Sequence, residues 1–272
     1  MGSLSNYAEN ALLNHITKNS AYTPVATVYL ALCTADPTDA GTGASMNEVA
    51  NSGSYARTAI TFGAAASRRV TQSGAVTFPA ATGSWGTVTH WAVVDSATHG
   101  AGNLLAYGAF GSSKSIVSGN TPSVASGAVY VDITTGTGLS NYAANGFLDR
   151  MFRNQAFTIA ANYIGLWTTT LSDSSTGATA GECSGGSYAR VAINANGGAS
   201  PAWGTVASGA VSNGAAVTFP TATGSWGTVV YSGICDASAN GNMLWYGDVI
   251  DQAVGSGDTA SFATGDIDLA QS

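Results

Sequence analysis

Residues 4–16 carry apolar side chains at every fourth position, Leu4, Ala8, Leu12 and Ile16, with Tyr7 and Ala11 beside them. That spacing draws one stripe down an α-helix. The same stripe returns at Leu139, Ala143, Phe147 and Met151, with Tyr142 alongside. Ser5 or Asn6 can cap the first helix, and Glu9 follows Asn6 at the spacing of a capping box. Helices of three or four turns are marginal alone, so each must dock on the core of its own unit or on a neighbouring subunit.

The rest of the pattern is that of strands. "TVYLALCT" (27–34), "YARTAITF" (55–62), "AVTF" (75–78), "GTVTHWAVVD" (86–95), "NLLAYGAF" (103–110) and "AVYVDIT" (128–134) are rich in β-branched and aromatic residues. Turn-forming runs such as "DPTDAGTG", "ATGS" and "ATHGAGN" separate them, and "DASANGN" holds Asn240-Gly241, a strong hairpin signal. Short antiparallel strands joined this way predict an all-β fold with short helices, a sandwich or jelly-roll. No strand–helix alternation points to a nucleotide-binding α/β fold.

The whole pattern is written twice. "AVTFPAATGSWGTV" at 75–88 returns at 216–229 with one change, Ala80 to Thr221. "LSNYAENALLNH" from Leu4 answers "LSNYAANGFLDR" from Leu139, "GSYAR" at 53–57 returns at 186–190, and "GNLLAYG" at 102–108 answers "GNMLWYG" at 241–247. Motif order is kept while the spacing drifts by a few residues, as in two copies whose loops have changed length. The expected organisation is therefore two tandem β-sandwich, jelly-roll-like domains, 1–135 and 136–272, each opened by its amphipathic helix. "TTGTG" at 134–138 is the expected joint. The near-identical peptide ends a strand at Pro79 or Pro220, turns at "ATGS", and sets Trp85 or Trp226 beside a glycine. A corner of that kind tolerates little change.

Composition narrows the function. Charged residues are 8% of the chain, against roughly 25% in ordinary globular proteins. Apolar residues reach 45%, enough for a core. So uncharged a surface suits a protein that works in an assembly. The net charge of −7 is uneven: residues 136–272 carry Arg150, Arg153 and Arg190 against nine acids, whereas 1–135 are nearly balanced. Neither half has the basic patch that phosphate backbones require, so nucleic acid is not an expected ligand. No apolar run is long enough to span a membrane, and "MGSLSNYAEN" lacks the features of a secretory signal. Cys33 and Cys235 have no cysteine at the equivalent position of the other copy, so the cysteines read as apolar fillers, not a disulfide framework.

Candidate chemistry is sparse. No nucleophile elbow, zinc-binding helix or phosphate loop occurs. His15, His90 and His99 all fall in the first copy, and His90 reads as a structural strand residue. Asp36 and Asp39 could hold Ca²⁺, but an Asx turn explains Asp36 without metal. No enzymatic activity and no cofactor are expected. Tyr55–Arg57 and Tyr188–Arg190 are the most suggestive pairs. Two apart on a strand, Tyr and Arg would share a face, serving either a protein interface or an internal pairing of the arginine with a carboxylate or carbonyl.

In this order, "LSNYAENALLNH", "YTPVATVYLALCTADPTDAG", "GSYAR…ITF", "AVTFP…SWGTV" and "GNLLAYG" resemble a family of tailed-phage virion structural proteins, tail-fibre-like or unnamed, whose members usually hold one such unit. The second copy departs at "NYIGLWTTTLSDSSTG", which lacks the "TADPTDAG" loop. The resemblance implies a structural part of a virion. With no heptad seam and no fibrous repeat, the expected placement is a capsid decoration (cement) protein, a homotrimer on the particle surface bound to the major capsid protein. A tail fibre or tail-tip (baseplate) component is the alternative, and a carbohydrate-binding adhesion module, stacking sugars on exposed Trp or Tyr, is a second one. Attachment is expected through the near-neutral first unit, whose Arg68 and Arg69, with Tyr55, Arg57, Tyr188 and Arg190, are the interface candidates.

Overall fold

The computed structural model describes residues 2–134 and 138–271. The centre of the expected joint, 135–137, lies outside the described residues. The first unit runs β1 (Gly2–Leu4), α1 (Asn6–Ile16), β2 (Val28–Cys33), β3 (Thr58–Ile60), β4 (Arg69–Thr71), β5 (Val76–Thr77), β6 (Gly86–Val94), β7 (Leu104–Ile116), β8 (Ser123–Val124) and β9 (Tyr130–Asp132). The second runs α2 (Asn141–Arg153), β10 (Tyr163–Trp167), β11 (Val191–Ala192), β12 (Ala210–Ser212), β13 (Val217–Thr218), β14 (Gly227–Cys235), β15 (Met243–Val254), β16 (Ser261–Phe262) and β17 (Asp268–Ala270).

Each unit is a β-sandwich built on one plan. The main sheet is β3-β2-β6-β7 in the first unit and β11-β10-β14-β15 in the second, and the short pairs β4–β9 and β5–β8 are matched by β12–β17 and β13–β16. In the first unit the sheet curls until β1 bridges it, antiparallel to β7 and parallel to β9, making seven strands. The second unit keeps a trace of that closure, among the described residues the single bridge Leu139↔Trp245. The β6–β7 hairpin is bulged: Val88 faces Lys114 and His90 faces Ala109, so residues 110–113 stand opposite Thr89 alone. In β14–β15 the bulge comprises residues 249–251 opposite Val230. Asn240 and Gly241 both take positive φ at the hairpin tip, as the sequence predicts.

Some elements differ from expectation. Leu4 lies in β1, and α1 starts one residue after Ser5, whose Oγ accepts the Ala8 N–H at 3.3 Å. Ser140 caps α2 in the same way at 3.1 Å. Glu9 therefore completes no capping box; it is buried. The run 55–62 gives only a three-residue strand, because Tyr55 and Arg57 lie in the loop that leads into β3. β7 continues to Ile116 through "GSSKS", a polar stretch whose exposed side chains give no apolar alternation.

The two helices tie the units together. α1 packs on β7 of its own unit and on β12 of the other, while α2 packs on β15 and on β4. Since β4 and β12 are equivalent, the arrangement is reciprocal, and one apolar core runs through both units from Leu12 and Tyr22 to Phe147 and Phe157. Each helix thus docks on the core of its own unit and also on the other half of its own chain. No helix among the described residues is long and apolar enough to cross a membrane.

Candidate functional site

The repeated peptide and the repeated "GSYAR" meet in each unit. Trp85 Nε1 donates to the Gly53 carbonyl at 2.8 Å and Thr82 N–H donates to the same oxygen at 3.0 Å. Trp226 and Thr223 do the same to Gly186, at 3.0 and 2.9 Å. A Cβ on Gly53 would sit 3.1 Å from the Gly83 backbone, and one on Gly186 would sit 2.9 Å from Gly224. Two peptide backbones touch here, and the indole roofs the contact. This explains why both sequences resist change together.

Beyond that corner, Arg57 acts as a clasp. Its Nε and Nη2 grip the Glu48 carboxylate at 2.8 and 2.7 Å. Nη1 donates to the carbonyls of Ser96 and Ala101 at 2.9 and 2.7 Å, and Nη2 also donates to Gly43 at 2.8 Å. All five guanidinium hydrogens are used. Tyr55 Oη donates to Glu48 Oε1 at 2.8 Å and accepts the Leu32 N–H at 3.0 Å. The second unit repeats the clasp: Arg190 holds Glu182 at 2.6 and 2.8 Å and the carbonyls of Ala237, Asn240 and Gly177. Tyr188 donates to Glu182 at 3.1 Å. Burial raises the pKa of both phenols, and the neighbouring glutamates raise it further. Both clasps lock three loops at one end of a sandwich.

The internal pairing of the two Tyr–Arg pairs is therefore what the fold uses, although neither pair lies within a strand. Glu48 and Glu182, the centres of the clasps, are not singled out in the sequence reading. The available signal was a glutamate standing in both copies shortly before "GSYAR". The altered loop of the second copy keeps the backbone contacts of the first: Asp173 O accepts the first amide of α2 as Asp39 O accepts that of α1, and Gly177 O meets Arg190 as Gly43 O meets Arg57.

Arg68 is buried at the seam between the units. It donates to the carbonyls of Ile133, Thr134 and Leu139, and Asp173 lies 3.8 Å away. The expectation that Arg68 docks on a partner is corrected: its hydrogens are directed to the linker region of its own chain. Arg69 stays 48% exposed and pairs with Asp132. Across the same seam Arg68 N–H donates to Asn145 Oδ1 at 2.8 Å, and the equivalent Gly209 N–H donates to Asn10 Oδ1 at 2.9 Å. His15 Nε2 meets Phe157 O at 2.8 Å, where Arg150 meets Tyr22 O at 3.0 Å. Glu9 is buried on α1 facing Gly209, and burial, then the Asp39 carboxylate, push its pKa up to about 7.

The remaining candidates are structural. Asp36 accepts the Thr38 N–H at 2.9 Å, the expected Asx turn. Asp95 accepts the amide and side chain of Asn103, and Asp236 does so with Asn242. His90 bonds to Thr89 at 2.8 Å, and His99 to Val49 O at 2.9 Å. Cys33, Cys183 and Cys235 are buried and unpaired, and burial raises their thiol pKa values. All six tryptophans are buried, so none offers a face to a sugar. Among the described residues no cluster of His, Cys, Asp and Glu is placed to hold a metal.

A protein-family model described as podophage GP4 fiber I protein gp80 matches residues 3–132 and again 138–270. No curated protein matches the chain.

Proposed function

The chain belongs to the podophage fiber I protein family, whose model matches once in each half, and from that premise we propose that it is a non-catalytic structural part of the phage tail fibre. The family's structural character holds for the chain as a virion protein; the tail placement is our reading. The observation that carries it is the double family match over nearly the whole chain. The sequence-based preference for capsid decoration rested on the lack of a heptad or fibrous stem, and compact units clasped internally and fused through a shared core can equally be segments of a fibre. We further propose that the units divide at 135/136, that the copies in the particle are trimeric, and that contact with other virion proteins involves Arg69 and not the buried arginines.

Immunogold labelling of intact virions, combined with copy number by quantitative mass spectrometry, tests the placement. Gold at the tail and far fewer copies than the major capsid protein are expected. Gold spread over the shell, at a copy number comparable to that of the capsid protein, restores the decoration reading.

A further inference from the structure

Beyond the bulge, the outer part of β7 has a free edge, since β1 pairs only with Gly108, Tyr107 and Ala106. Between that edge and β8 lies a groove of about 280 Å³ lined by Leu32, Val88, Phe110, Ile116 and Val124. Its one charged wall residue is Lys114, which is exposed and has no salt-bridge partner among the described residues. The second unit repeats the geometry with different chemistry. There the bulge carries Val249, Ile250 and Asp251, and Ile250 is 92% exposed. Asp248 and Asp251 flank it, both exposed and in no salt bridge among the described residues.

An isoleucine so fully in water, set on a bulge beside two carboxylates, is the extreme in a chain whose next most exposed large apolar residue, Val117, is 51% exposed. Its counterpart in the first unit is Gly111, which puts no side chain on the rim of the groove. Three pairings between copies are conceivable. First unit on first unit has grooves, but the side chain beside them, Val117, is only 51% exposed, and Lys114 would face Lys114. Second unit on second unit sets Asp248, Asp251 and Asp266 against themselves, a like-charge arrangement that costs free energy. Second unit on first unit alone supplies a projecting side chain, an apolar groove and opposite charges.

We propose that Ile250 of one chain seats in the Leu32–Phe110–Val124 groove of a second copy, with Asp248 and Asp251 against Lys114 of that copy. The contact is heterologous, joining the second unit of one chain to the first unit of the next, so it closes into a ring or continues as a filament. It also covers the open outer edge of β7, an edge that otherwise invites unspecific pairing. The geometry stands whether the protein sits on tail or shell.

Sedimentation velocity of the purified full chain tests it. Wild type is expected to associate with rising concentration up to about 100 μM, where even a weak specific contact registers. Ile250→Asp and Lys114→Asp, both at exposed positions, are each expected to weaken association about tenfold or more with an unchanged thermal midpoint. If either unfolds the chain, Ile250→Ser and Lys114→Gln probe the same contact. The decisive arm mixes the two variants: one keeps its groove and the other its knob, so the mixture forms a one-to-one dimer although each alone is monomeric. Wild type that stays monomeric, variants that associate like wild type, or a mixture that stays monomeric overturns the proposal.

Discussion

Replacing Arg57 with alanine tests how much the clasp holds. The substitution leaves the Glu48 carboxylate, 4% exposed, without its guanidinium, and strips hydrogen-bond donors from the carbonyls of Gly43, Ser96 and Ala101. Removing one partner of a buried ion pair costs about 3–5 kcal/mol, because the remaining charge is neither hydrated nor paired. We expect about 4 kcal/mol for Arg57→Ala. The second unit provides an internal control. Arg190→Ala abandons Glu182, which is 23% exposed and can turn toward water. Its cost should be smaller, about 2–3 kcal/mol, for the same set of lost bonds. The double change Arg57→Met with Glu48→Gln removes the charge as well as the clasp and should recover a good part of the loss. Urea unfolding followed by tryptophan emission reads these differences directly, since every indole is buried in the native state. A loss under about 1 kcal/mol for Arg57→Ala, or a larger loss for Arg190→Ala, refutes the reasoning that burial sets the strength of each clasp.

Glu9 gives a pH signature. Its folded pKa of about 7 exceeds the ordinary 4.5, so its contribution is complete below pH 4.5 and is lost as pH rises through 7. Glu9→Gln should therefore gain up to about 3 kcal/mol on wild type between pH 5 and pH 8, and a melting-temperature gap that stays constant over that range rules this out. Gly186→Ala forces a side chain into positive φ and to 2.9 Å from the Gly224 backbone; a cost of about 1–3 kcal/mol in denaturant titration is expected, and a neutral result means the corner is slack. Asn10→Ala and Asn145→Ala each remove one side-chain acceptor at the seam, at about 1 kcal/mol apiece. Because the core is continuous, calorimetry on either variant should still show one cooperative transition, and two separate peaks contradict a shared core.

Much of this architecture is written in the sequence, and the gaps have physical causes. The duplication, both helices and the β6–β7 hairpin are legible because packing there imposes strong apolar periodicity. β1 is hidden because Leu4 also fits the helical stripe, and β4 because "RVT" buries only Val70 and opens on the second of two arginines. Tyr55 and Arg57 stand out, but their partner Glu48 lies across a loop, and the carbonyls they bind have no letter in the sequence. The seam is least visible. His15 and Arg150 do one job at equivalent places with unlike side chains, so aligning the copies conceals the shared role.

The reciprocal seam also changes what a mutation means. In a symmetric pair of identical chains, each substitution is felt twice, once at either end of the contact, so an unfavourable change counts double. Joined in one chain, the two ends are separate genetic positions, and each can be altered while the other keeps the units together. The seam already shows the result. A histidine reaches one carbonyl where an arginine reaches the other, and a buried arginine stands opposite the place of a glycine. Fusion turned a doubled constraint into two independent ones, and left each unit free to specialise its outer face.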